Sequence, residues 1–64
     1  MIRCRFKVRC EDPRPVKWPI KHPYWITGYG QDYATLVAYA DDEKEILANW
    51  PDAEDLDSED VSEY

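Results

Sequence analysis

Glycine is almost absent from this chain, represented by Gly28 and Gly30, and His22 is the lone histidine. Two glycines at that spacing cannot build a P-loop or a dinucleotide-binding turn, which need several glycines at fixed intervals for the backbone to approach phosphates. With one histidine, and with Ser58 and Ser62 embedded among acids, no nucleophile has a convincing base, so the chain reads as non-enzymatic. Asp41 and Asp42 are better explained as helix-start residues than as a general acid/base pair. Cysteine is scarce too. Cys4 and Cys10 on one strand would lie roughly 20 Å apart, against a disulfide limit near 7 Å, and are expected to be buried reduced thiols. Neither a Cys-x2-Cys nor a His-x3-His spacing is present, so no metal or other cofactor is expected. Long hydrophobic runs are missing: nothing approaches the roughly 18 apolar residues of a membrane span, and the N-terminus lacks a signal-type block. A cytoplasmic location without a membrane partner follows as the expectation.

What is present fits one small soluble domain: 64 residues, 44% hydrophobic and 34% charged. Residues 2–10 alternate Ile2, Cys4, Phe6, Val8 and Cys10 with Arg3, Arg5, Lys7 and Arg9, a period-two strand with one buried face and a row of cations about 6.6 Å apart on the other. Residues 11–23 carry Pro13, Pro15, Pro19 and Pro23, a density that neither a helix nor a central strand tolerates. This is an extended structural connection, with Trp18 and Ile20 as its expected anchors, rather than a recognition peptide. Residues 24–29 and 33–40 are rich in β-branched and aromatic side chains around Gly30-Gln31-Asp32, the pattern of a hairpin. The second of these strands is apolar on both faces and so belongs in the centre of a sheet.

Asp42 with Glu45 fits a capping box, or Asp41 caps one residue earlier, and Pro51 ends the helix that follows. That helix, near 42–50, is expected to lay Ile46, Leu47 and Trp50 over Phe6, Val8, Ile26 and Leu36. The expected fold is therefore α+β, a three-stranded antiparallel sheet with one short helix packed on it, formed by residues 1–53. Residues 54–64 read as an acidic C-terminal tail, partly disordered, because seven of the last thirteen residues are acids.

Charge is sharply segregated. Residues 1–22 carry a net +5 and residues 23–64 a net −11, with Lys44 the single cation of the second part, for a formal −6 overall. Such polarity admits three readings: internal neutralisation, docking on a cationic partner, or phosphate binding. For the second, Asp41, Asp42, Glu43, Glu45, Asp52, Glu54, Asp55 and Asp57 form the candidate surface, joined by Glu59 and Asp60, and would occupy a basic groove that normally takes DNA or RNA. For the third, Arg3, Arg5, Lys7 and Arg9 would follow phosphates while Trp18, Tyr24 and Trp25 stack on bases, against the objection that nearby acids compete for the same cations. A homodimer through an exposed edge strand is compatible with either, since so small a core gains from association.

The segments His22-Pro-Tyr-Trp, Gly28-Tyr-Gly, Leu36-Val-Ala-Tyr-Ala-Asp-Asp and Ile46-Leu-Ala-Asn-Trp-Pro-Asp-Ala53, about half of the chain, resemble small orphan accessory proteins of bacteriophages and prophages. The resemblance carries no catalytic motif. It implies a class of role, that of a non-catalytic protein-binding inhibitor of host nucleic-acid-handling or defence machinery, acting in the host cytoplasm.

Overall fold

The computed structural model describes residues 1–11, 13–17 and 21–61. Its elements run β1 (Ile2–Arg9), β2 (Tyr24–Tyr29), β3 (Tyr33–Ala40), α1 (Glu43–Asn49) and β4 (Glu54–Asp60). All pairings are antiparallel, in one sheet of order β2-β3-β1-β4. The fold is α+β with a single helix, as the patterning implies, but the sheet has four strands rather than three. The fourth is the acidic segment read from composition as a tail.

β1 and β3 form the centre, with Cys4 opposite Ala38, Phe6 opposite Leu36 and Val8 opposite Ala34. These six side chains are buried on one face, and α1 packs there through Ile46, followed by Trp50 at its C-cap. The alternation of β1 makes this possible, because a period of two sends every second side chain to the same side of the pleat. Phe6 and Tyr24 both meet the Trp50 ring, with centroids 5.0 and 5.4 Å away. Such tilted and edge-on contacts match the aromatic quadrupole.

Asp42 caps the helix as the sequence suggests, its side chain accepting from the Glu45 amide at 3.1 Å. Glu45 returns the favour one residue further back, accepting from the Asp41 amide at 3.0 Å. Two expected core contacts are not made. Leu47 is 45% exposed and Ile26 36% exposed. The reason is reach: α1 is only seven residues long and sits over β3 and β1, so the edge strand β2 and the far side of the helix lie beyond its footprint. Asn49 is buried in Leu47's stead.

Asn49 explains how the proline-rich segment is held. Its side-chain oxygen accepts from the Lys17 amide at 3.0 Å, its amide donates to the Glu45 carbonyl at 3.3 Å, and its backbone carbonyl accepts from the Val16 amide at 2.8 Å. The Trp50 indole N–H donates to the Pro13 carbonyl at 2.9 Å. The anchors expected from sequence, Trp18 and Ile20, lie outside the described residues. Of the two cysteines, which are both free, Cys4 is buried as expected, whereas Cys10 is only partly so, its thiol 3.6 Å from the Gly30 carbonyl.

Trp50 thus joins the core, the strand face and the connecting segment. Replacing it by Ala should lower the unfolding free energy by about 3–5 kcal/mol, the range for truncating a buried aromatic. Urea denaturation followed by circular dichroism measures this, and a loss below about 1 kcal/mol would contradict the packing described.

Candidate functional site

The sheet face opposite α1 carries the cations of β1, and β4 meets them in register. Arg3 stands opposite Glu59, Arg5 opposite Asp57 and Lys7 opposite Glu54. Arg3 forms an ion pair with Glu59, and Lys7 with Asp55 at 2.9 Å. A bulge between Arg5 and Lys7 lets Asp55 reach its partner, with Asp55 at a φ of 55°, a left-handed conformation that Asp tolerates better than most residues. The same bulge turns Leu56 toward the core, where it is half-buried. The ion pairs are exposed and individually weak, but opposite charges directly across a ladder add to its hydrogen bonds. This is why a segment of such low β-propensity forms a strand.

On the other side of β1 the same cations border Tyr39, Val37, Thr35 and Tyr33 of β3. Arg9 lies over the Tyr33 ring at 5.7 Å, and Trp25 meets Tyr39 edge-on at 5.6 Å. Of the phosphate-binding candidates, Arg3 and Lys7 are therefore ion-paired with carboxylates, Arg5 stands opposite Asp57 in register and Arg9 faces an aromatic ring, while Trp18 lies outside the described residues.

The acidic candidates divide between the two ends of the sheet. At one end, Ile2 pairs with both Ala40 and Asp60, so the start of α1 and the end of β4 flank the first residue of β1. There the Ser58 hydroxyl donates to Glu43 at 3.4 Å, bridging helix and strand. Asp41 accepts from the Lys21 ammonium at 2.5 Å and lies 3.1 Å from Nε2 of His22. Asp42 and Glu45 are engaged in capping, and Asp57 stands opposite Arg5 in the register of β4 with β1. At the other end, Asp52 and Glu54 line a depression with Arg9, Tyr33, Pro51 and Ala53. The structure brings Asp41, Asp42, Glu43 and Glu45 together with Ser58 and Asp60, and keeps Asp52, Glu54 and Asp55 apart from them.

Electrostatic effects follow these contacts. The Lys21 ammonium, and after it the His22 ring, hold the Asp41 carboxyl below its ordinary value of 3.8, and Asp41 in turn raises Lys21. Asp55 raises Lys7 in the same way. Burial, reinforced by the carboxylates of Glu43 and Asp57, pushes the Cys4 thiol up to about 11. Cys4 is therefore protonated at neutral pH and a poor nucleophile.

Asp60 is among the acids the sequence offers, whereas Ser58 is not distinguishable as a site residue by composition; a signal for the strand that carries both nevertheless exists. Arg3, Arg5 and Lys7 recur every second residue, and so do Asp55, Asp57 and Glu59. Matched spacing of opposite charges marks two strands able to pair. Among the described residues, no helix is long and apolar enough to cross a membrane. Comparison with protein-family models, curated proteins and solved structures finds no match for the chain.

Because the folded pKa of Asp41 is depressed, its bond to Lys21 contributes stability that is fully present above pH 3.8 and lost as pH falls through the lower folded value. A carboxyl-detected NMR titration should give Asp41 a midpoint below 3.8, moved upward by Lys21→Met. A midpoint at or above 3.8 in the unmodified protein would contradict the contact.

Proposed function

We propose that this chain is a non-catalytic protein-binding module whose acidic end docks on a basic protein surface of the kind that otherwise holds DNA or RNA. In this reading it is a stoichiometric inhibitor of nucleic-acid-handling or defence machinery, the role implied by its resemblance to phage accessory proteins, and it acts in the host cytoplasm. The observation that carries the proposal is the Ser58–Glu43 bond, which joins the acidic helix start to the acidic strand so that two segments form one surface. A pre-ordered array of carboxylates loses little freedom on binding and steers toward a cationic partner over a long range.

The docking residues are a refined set: Asp42, Glu43 and Asp60 at the shared end, with Asp41 and Glu45 behind them, and Asp52 and Glu54 as a separate outlying pair. Asp55 is ion-paired with Lys7 instead, and Asp57 stands opposite Arg5 in the strand register. Against the rival reading, nucleic-acid binding by Arg3, Arg5, Lys7 and Arg9, stand the ion pairs of Arg3 with Glu59 and Lys7 with Asp55, which phosphates would have to displace.

The test compares tagged wild type with the double variant Glu43→Gln/Asp60→Asn, which keeps hydrogen-bonding capacity and removes two charges. Capture from nuclease-treated host lysate should retain one nucleic-acid-handling complex on the wild type and lose it on the variant, with elution by rising salt. Loss of every partner after nuclease treatment, or equal capture by both proteins, would reject the proposal.

A further inference from the structure

The two edges of the sheet are chemically opposite. β4 carries Glu54, Asp55, Asp57, Glu59 and Asp60, and a row of charges is a standard protection against edge-to-edge pairing. β2, at the other edge, reads Tyr-Trp-Ile-Thr-Gly-Tyr without a charged residue. Three of its side chains are conspicuously open to solvent: Trp25 at 51%, Tyr29 at 67% and Ile26 at 36%.

We propose that β2 pairs antiparallel with β2 of a second copy about a two-fold axis between Ile26 and Thr27, continuing the sheet from one copy into the other. The register follows from a bulge. The pairing of β2 with β3 shifts between Ile26 and Gly28, so that Trp25 and Gly28, opposite Val37 and Thr35, share the face away from α1. Tyr24 and Tyr29, opposite Ala38 and Ala34, share the face toward it. The Thr27 hydroxyl fixes the bulge inward by donating to the Thr35 carbonyl at 3.1 Å.

With the axis between Ile26 and Thr27, Trp25 falls opposite Gly28 of the second copy and Tyr24 opposite its Tyr29. Both pairs then have their side chains on matching faces. Sliding either strand by one residue puts Tyr24 opposite Gly28, or Trp25 opposite Tyr29, on mismatched faces, and a register error of this kind is costly wherever the faces differ. Space supports the same alignment. A Cβ added at Gly28 meets no atom within 4 Å, so the surface above it can receive the Trp25 ring of the other copy. Aromatic cover of an edge glycine across a strand pair is a known stabilising device.

The self-complementary seating of Trp25 over Gly28 selects a second copy as the occupant, and charge selects its β2 rather than its β4. For a chain with a formal −6, pairing through the uncharged strand leaves the two acidic β4 strands at the far ends of the combined sheet. Pairing β2 with β4 would instead desolvate carboxylates and leave free edges for open-ended growth. The open portions of the three side chains amount to roughly 350 Å² per copy, or roughly 700 Å² in total, which places this contact below the standard size and in the weak, transient class. An interface of this size is weak and transient, so the dimer is expected to form only at high protein concentration. The proposal is independent of the acidic docking reading, whose residues lie at the start of α1 and on β4 rather than on β2.

Sedimentation equilibrium of the full chain, from about 1 µM to about 1 mM, tests it. A monomer–dimer equilibrium is expected, unchanged or tightened at about 0.5 M NaCl, because the interface is uncharged and the copies repel. Gly28→Val should keep the monomer's circular dichroism and melting, since Gly28 has neither a crowded Cβ position nor a positive φ, yet raise the dissociation constant at least tenfold. Trp25→Ser should do the same by removing the ring rather than by blocking its seat. A monomer throughout the range, a dimer that dissociates with salt, or one indifferent to Gly28→Val would each overturn the proposal.

Discussion

β1 must satisfy two opposed surroundings at once, and the rest of the molecule is arranged around that requirement. Its even residues supply the buried face, with Cys4, Phe6 and Val8 against β3 and beneath α1. Its odd residues place cations on the open face, beside a neighbour that would otherwise be too acidic to order. Because β1 lies inside the sheet, between β3 and β4, it also supplies ladder hydrogen bonds on both sides. Without the alternation there would be neither a core for the helix nor a partner for β4.

Most of the architecture could be read from residue order. The strands at 2–10, 24–29 and 33–40 are announced by alternation and by aromatic and β-branched content, and the helix by Asp42, Glu45 and Pro51, because these signals act locally. The fourth strand was illegible to the same reasoning. Glu54–Asp60 has a composition that disfavours both strand and core, and only its relation to a segment some fifty residues away explains its order. Asn49 is a similar case. A polar residue late in a helix is ordinarily solvent-facing, and its burial follows from the prolines and the main chain of 16–17 that it organises. Ile26 and Leu47 were misplaced because hydrophobicity does not reveal how far a short helix extends over a sheet.

The candidate site was half legible. The charge polarity of the sequence raised internal neutralisation, acidic docking and phosphate binding together, and all three draw on the same residues. In the fold they separate. Glu59 and Asp55 are ion-paired with Arg3 and Lys7, and Asp57 lies opposite Arg5, so the open sheet face carries charges of both signs. The helix start and the end of β4 remain as a continuous acidic rim tied by Ser58. An acidic edge, an uncharged aromatic edge and a mixed open face give this small domain three distinct surfaces.

The central claim is that opposite charges across β1 and β4 hold the acidic segment in the sheet. The most direct measurement is amide hydrogen exchange of β4 in wild type, in Arg3→Glu, and in the exchanged pair Arg3→Glu/Glu59→Arg. Reversing Arg3 should accelerate exchange at the amides of Asp57 and Val61, on the side of β4 that bonds to β1, by about tenfold, and exchanging the pair should restore most of the protection. Equal protection in all three proteins would contradict the claim, as would a loss that the exchanged pair fails to repair.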